Sequence, residues 1–226
     1  MSVYKHTVEK TIYFVRHGRS VGNDEQAFQG LDSPLSKEGK AQANLVAGRL
    51  AKIPFDTLIS SPLLRARDTA QIIAEASGKT PEYSKLFVER FKPSRVSDRP
   101  HTDKEAHALW EEWEKSLYTS GLRVEDGENF DDQIARADAA LEFLRARPEK
   151  SIVVVSHGYF LRTIVARVLL GETLTQENFQ AFQSHITMDN TGITALRFED
   201  AYKKAPAWHL WVHNDHSHCE KCAESR

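Results

Sequence analysis

The chain of 226 residues carries only two cysteines, Cys219 and Cys222. That scarcity excludes a disulfide framework, so a hydrophobic core has to hold the fold. No apolar run approaches the length of a membrane span. The first residues, MSVYKHTVEK, lack the apolar segment of a secretion signal, and the expectation is a cytoplasmic protein. An excess of charge of one sign is also missing: 30 Lys and Arg stand against 32 Asp and Glu, a formal net charge of −2. No global attraction to nucleic acid or to an anionic membrane follows from that balance, and neither is expected as a partner. Any anion site must be a local concentration of Arg, His and Lys. The 40% of hydrophobic and 27% of charged residues are those of a globular chain long enough for a real core.

The stretch that organises the rest is Thr11 to Asn23, TIYFVRHGRSVGN. Ile12 to Val15 is apolar without alternation, as in a strand buried on both faces of a parallel sheet. In such sheets ligands bind beyond the carboxyl ends of the strands, where Arg16 and His17 fall. Gly18 lets the backbone turn and approach closely. An arginine beside a histidine offers a fixed cation and a titratable nitrogen. Taken alone, a histidine after a strand is more often structural than catalytic, so the other strand ends carry the argument.

Leu35 to Lys52 reads as a helix with Ser36 as N-cap and Leu45, Val46 and Leu50 on its apolar side. Phe55 to Ile59 reads as a strand. Ser61 as N-cap and Pro62 at the first helical position then put Arg65 in the first turn of a helix ended by Gly78. Glu82 to Phe87 is expected as an edge-like strand, followed by a basic loop, VERFKPSRVSDRP. A capping box, Thr102-x-x-Glu105, opens a helix whose apolar face is Ala106, Leu109, Trp110, Trp113 and Leu117; the tryptophans read as core. Glu128 to Arg147 is a further helix. Ile152 to Val155 repeats the buried strand, and Ser156-His157-Gly158 turns into another helix whose amide groups can face an anion. Ile186 to Met188 and Ile193 to Phe198 look like a strand pair around Asp189-Asn190-Thr191-Gly192, with a last strand near His209 to His213.

Strands alternating with helices predict an α/β fold: a three-layer α/β/α sandwich with a mostly parallel central sheet. The expected organisation is one domain over residues 1–226. A small helical insertion over about 88–127 would cover the active site, and 213–226 would form a His/Cys-containing tail. Arg16, His17, Arg65 and His157 then converge at one sheet edge, a pocket for a tetrahedral dianion with bidentate guanidinium donors.

The segments RHGRSVGN (16–23), FQGLDSPLSKEGKAQA (28–43), SSPLLRARDTA (60–70), the glutamate of LFVER (86–90), GENFDD (127–132) and VVVSHG (153–158) together resemble the histidine phosphatase superfamily, the phosphoglycerate-mutase-like enzymes. The resemblance runs to about Phe198. It implies that His17 is the nucleophile and carries a phosphohistidine, and that Arg16, Arg65 and His157 bind the phosphoryl oxygens. Glu89 would be the proton donor to the leaving alkoxide. Asn23 would add a donor at the rim, and Gln29 and Gly30 would lie near the substrate, as would Gly158 at the helix start. No metal or other cofactor is implied.

One departure separates the chain from the mutases of that family: the acid is followed by a glutamate-arginine-histidine-tyrosine-glycine run there, and here the residues read ERFKPS. The expectation is therefore a phosphomonoester hydrolase acting on a small phosphorylated metabolite. The alternatives are a cofactor-dependent phosphoglycerate mutase and a catalytically inactive phospho-ligand-binding module. Lys92, Arg95 and Arg99 either recognise a second anionic group, with Arg95 the candidate, or form a solvated basic loop. The tail adds His213, His216, His218, Cys219 and Cys222, residue types that suit zinc. The alternative is a His-rich tail that holds no metal.

Overall fold

The computed structural model describes residues 7–23, 27–30, 32–200 and 207–219. Strand β1 (Thr7–Arg16) and strand β4 (Ser151–Ser156) lie side by side and parallel, with Phe14 opposite Val154 and Arg16 opposite Ser156. This register makes His17 and His157 leave the sheet together, each one residue past its strand. Strand β2 (Thr57–Ser60) pairs parallel with the other side of β4, and β3 (Pro81–Tyr83) extends the sheet beyond it. Strands β5 (Ile193–Asp200) and β6 (Ala207–Asp215) add an antiparallel pair next to β1. The order is β3-β2-β4-β1-β5-β6.

The helices are α1 (Lys37–Leu50), α2 (Leu64–Ser77), α3 (Lys104–Lys115), α4 (Phe130–Ala146), α5 (Gly158–Leu170) and α6 (Gln176–His185). Alternation along the central strands builds two cores. Ile12, Phe14, Ile152 and Val154 face α4 and α5 and pack on Leu144, Phe160 and Ile164. Val15, Val153 and Val155 face the other way, onto Val46, Leu50, Ala70 and Ile73 of α1 and α2. Both faces of β1 and β4 are thus covered, which is why they read as unbroken apolar runs. No helix is long and apolar enough to cross a membrane among the described residues.

Several local expectations differ from the structure. Leu45 is exposed, and α1 buries Ala43, Val46, Ala47 and Leu50 instead. Ser36 does cap that helix, accepting from the Gly39 amide. Ser61 does not cap α2, which starts later behind Leu63 without a side-chain cap. Its hydroxyl is drawn to His157. The N-cap of α3 is Asp103, accepting from the amides of Glu105 and Ala106, not Thr102. The edge strand is only Pro81–Tyr83, and Lys85–Phe87 is a 3-10 turn.

Ile186–Met188 forms no strand, and its Met188 carbonyl accepts from Arg16 instead of from a neighbouring strand. Helix α6 was not anticipated; the reciprocal cap between Thr175 and Asn178 is its sequence signal.

The 88–127 segment holds α3 as its one α-helix, and Arg90 is its anchor. The Arg90 guanidinium is 3% exposed, lies 3.6 Å from the Trp113 ring centre, and donates to Glu114, Ser116 and the carbonyls of Trp113 and Glu128. Trp113 is core, as expected. Trp110 is only half-buried and lines a cavity with Phe28, so it is not simply core.

Candidate active site

Arg16, His17 and His157 stand at the ends of β1 and β4, while Arg65 and Glu89 reach the same place from α2 and from a loop. His17, directly after β1, is 3% exposed, and its Nδ1 lies 2.7 Å from the carbonyl oxygen of Gly18. A carbonyl only accepts, so Nδ1 carries the proton and Nε2 keeps the lone pair. Arg65, in the first turn of α2, donates from Nε to that Nε2 at 3.3 Å and from a terminal nitrogen to the Gly30 carbonyl at 3.3 Å. His157 is fully buried, with its ring centre 4.9 Å from that of His17 and its Nε2 2.8 Å from the Ser61 hydroxyl. Arg16 reaches the Met188 carbonyl.

Two buried polar atoms of this cluster lack a hydrogen-bond partner, Nε of Arg16 and Nδ1 of His157. Orphaned buried polar atoms are uncommon, and two in one pocket ask for an incoming ligand. Gly158 makes room for this arrangement: a Cβ there would come 3.1 Å from Arg16 Nε. Gly18 serves a different purpose from the one its position implied. A Cβ on it would meet the Gly39 carbonyl oxygen at 2.5 Å, so it allows α1, not a ligand, to approach.

Glu89 comes from the loop after the 3-10 turn and faces the same pocket. Its carboxylate accepts from the amides of Tyr159 (3.2 Å) and Phe160 (3.0 Å) at the start of α5. The amides expected to meet a phosphoryl group are thus partly occupied by the carboxylate, which gains from the positive end of the helix. Cavities open on either side of Glu89. One, of about 470 Å³, is lined by Arg16, Arg162, Gly158 and Asp189 among others. The other, of about 80 Å³, is lined by Arg65, Gln29, Gly30 and Lys92 among others.

Burial, and then the charges of Arg65 and Arg16, push the His17 imidazole well below the ordinary histidine range. His157 is lowered in the same way, by burial first and then by Arg65, His17 and Arg16. Burial brings Arg65 down to about 10 despite the attraction of Glu89, and Arg16 is lowered by burial as well. Burial, followed by repulsion from Arg65, brings Lys92 down to about 8. The pocket therefore holds neutral imidazoles among desolvated cations.

A consequence for stability follows. In the unfolded chain a histidine takes up its proton near about pH 6.5. Folded His17 and His157 do so only at lower pH, so below that value the unfolded state binds more protons and the folded state is weakened. The thermal midpoint is expected to fall between about pH 7 and about pH 5. Each buried histidine contributes at most about 1.4 kcal/mol per pH unit there. A pH series of melting curves on the intact chain and on a His157→Asn variant checks this, with the shallower slope expected in the variant.

The remaining expected residues separate. Gln29 donates to the Ser20 hydroxyl and lines the smaller cavity with Gly30. Lys92 donates to the Gln29 carbonyl at the same place. Arg95 is exposed, is held by Glu105 and Glu125, and lines none of the cavities described. Arg99 is held by Asp103 and Glu105. The side chain of Asn23 lies outside the described residues, as does Cys222.

Among the described residues no group of three or more His, Cys, Asp or Glu is arranged to hold a metal ion. His216 Nε2 bonds the Asn190 carbonyl at 3.0 Å, and His218 Nε2 lies 3.2 Å from the Thr191 hydroxyl. His213 is on β6, and Cys219 is buried and not a free thiol.

Two supports were missed in the sequence. Arg136 of α4 donates to the carbonyls of Leu86 (3.1 Å) and Val88 (2.8 Å), pairs with Glu128 at 2.7 Å, and stacks 3.9 Å from the Phe160 ring centre. It fixes the segment that delivers Glu89. Asn190 donates from its side chain to the His17 carbonyl at 2.8 Å, and the Thr191 amide donates to the Arg16 carbonyl at 2.9 Å. Thr191 has φ of +63°, a costly conformation for a β-branched residue. An Asn-Thr-Gly turn signals a bend but not what the bend clamps.

A buried imidazole with guanidinium groups against it and a carboxylate nearby lies at a strand-end crevice, an arrangement suited to a phosphoryl group. The profile of the histidine phosphatase superfamily (branch 1) matches residues 12–210, and the chain belongs to that superfamily. It is 32% identical over 218 residues to the Escherichia coli protein named probable phosphoglycerate mutase GpmB, covering 92% of this chain and 94% of that one. Its structure is similar to that of a mycobacterial glucosyl-3-phosphoglycerate phosphatase, with a TM-score of 0.71 and 25% identity, covering 91% of this chain and 99% of that one. The alpha-ribazole phosphatase of Shigella flexneri shares the fold at a TM-score of 0.74 and 23% identity, covering 91% and 96% of the two chains.

Proposed function

We propose that the chain hydrolyses phosphomonoesters of small metabolites through a phosphohistidine on His17. The carrying observation is the unprotonated Nε2 of a buried His17, placed against Arg65, while Arg65 and Arg16 each line one of the two cavities that share Glu89. In the first step Nε2 bonds to phosphorus as the ester P–O bond breaks, and Glu89 gives the leaving alkoxide its proton. In the second, Glu89 takes a proton from water as the water oxygen attacks phosphorus and the P–N bond breaks. Inorganic phosphate leaves and His17 is restored. Nε of Arg16 and, with the Ser61 hydroxyl donating to Nε2, the Nδ1–H of His157 supply the donors that phosphoryl oxygens require. Each such donor is worth roughly 10²–10³-fold.

Because these groups already neutralise the phosphoryl charge, the proposed reaction calls on no metal and no organic cofactor. Its substrates share the terminal phosphoryl group with those named for the glucosyl-3-phosphoglycerate and alpha-ribazole phosphatases.

A second reading, phosphoglycerate mutase, is favoured by the 32% identity to GpmB. Phosphate release from a phosphomonoester panel in chelator, run beside a mutase assay primed with bisphosphoglycerate, separates the two. Metal-independent release supports hydrolysis. Transfer between phosphoglycerates with little release would overturn it.

A further inference from the structure

Beyond the smaller cavity, and sharing Gln29 and Lys92 with it, lies a third cavity of about 450 Å³, lined also by Phe28, His101, His107 and Trp110. Its walls are rings. Phe28 meets His101 edge-on with centres 4.5 Å apart, and lies 5.8 Å from Trp110; His107 is 6.0 Å from Trp110. Phe28 is held in place on Val96 and Ala106, with Leu109 and Trp110 packed around it. The catalytic groups do not use this cavity. Its volume is that of a small-ligand site, and its lining mixes the Phe28 and Trp110 rings with the polar groups of Gln29, Lys92, His101 and His107.

Its position assigns it a role. In an ester bound at His17 the leaving oxygen faces Glu89, and the alcohol must continue into one of the two cavities that Glu89 lines. The larger one presents Arg16, Arg162 and Asp189. The smaller one shares Lys92 and Gln29 with the ring-walled cavity, which places the two side by side.

We infer that the cavity formed by Phe28, His101, His107 and Trp110 seats a planar ring carried by the alcohol part of the substrate. The preferred esters are then phosphates of alcohols bearing an aromatic or heteroaromatic group. Stacked and edge-on rings suit a flat aromatic surface, and the exposed imidazoles of His101 and His107 can hydrogen-bond ring heteroatoms. Half-buried Lys92, where the cavities meet, faces the polar linker between phosphoryl group and ring. This inference rests on the phosphatase reading above.

Matched ester pairs test it: adenosine 5′-monophosphate against ribose 5-phosphate, and 2-phenylethyl phosphate against ethyl phosphate. Within each pair the leaving oxygen is alike and the ring differs. The expected kcat/KM ratio is about 10-fold or more in favour of the ring in at least one pair. In Trp110→Ala that ratio should fall towards one, and Trp110→Phe, which keeps a ring, should retain most of it. Ratios within about 2-fold in both pairs, with phosphate still released, would overturn the aromatic site and leave the phosphatase reading standing. Should no ester turn over, that reading fails first. Calorimetric titration of the intact protein with adenosine 5′-monophosphate and ribose 5-phosphate then decides the site, and equal affinities would refute it.

Discussion

Replacing His17 with alanine is expected to reduce phosphate release by about 10⁴-fold or more, the scale on which removing a covalent nucleophile acts. The second imidazole, His157, is not placed to substitute. The Nε2 of His157 faces the Ser61 hydroxyl, and its buried imidazole lies 4.9 Å away, ring centre to ring centre. The fold should survive, because the backbone at this point is held by contacts that do not involve the imidazole: the His17 amide to Ser156, the His17 carbonyl to Asn190, and the Gly18 amide to Thr69. Circular dichroism on the variant checks that. An acid-labile, base-stable phosphoryl label on the intact chain, absent from His17→Ala, would identify the intermediate. Release within tenfold of the intact protein would exclude His17 as nucleophile.

The second large effect is expected at Glu89, and it should depend on the leaving group. Glu89→Gln is expected to slow phosphorylation of His17 by alkyl phosphates by about 10²–10⁴-fold. With 4-nitrophenyl phosphate, whose phenolate leaves without needing a proton, that step should slow by less than about tenfold. Hydrolysis of the phosphohistidine still lacks its base, so this substrate should give a burst of nitrophenolate stoichiometric with protein, followed by slow turnover. The amide keeps one oxygen for the α5 amides but turns an NH₂ on the other, so a small loss of stability accompanies the change. Stopped-flow absorbance reads the burst. Equal slowing of both substrates in the first step would mean that Glu89 positions α5 and does not donate the proton.

Arg136 and Asn190 gain meaning from these two results. Each holds a backbone segment that carries a group proposed to react: Arg136 the segment before Glu89, Asn190 the His17 carbonyl. Neither touches the reacting atoms. Placement errors of an ångström at such sites are costly to rate, so these contacts matter although they are remote from the chemistry.

The chain itself determined the sheet-edge cluster. Unbroken β-branched and aromatic runs at Ile12–Val15 and Ile152–Val155 suit strands buried on both faces, and polar residues that end such strands fall at the crevice. That logic located Arg16, His17 and His157 without coordinates, because strand geometry is local and periodic; Arg65 came instead from its place in the first turn of the helix after Phe55–Ile59.

Tertiary structure decided what depends on partners remote in the chain. Ser61 is an acceptable helix cap by its neighbours, yet β2 beside β4 brings it 2.8 Å from His157, and that contact prevails. Arg95 was the candidate of the basic loop, yet the fold turned it towards Glu105 and Glu125 and set the half-buried Lys92 beside Arg65 instead. The Asn190 turn and the ring-walled cavity at Trp110 likewise arise from segments far apart in sequence. Local propensity cannot encode which distant group will compete for a hydroxyl, a carbonyl or a cation; only the packed structure brings the competitors together.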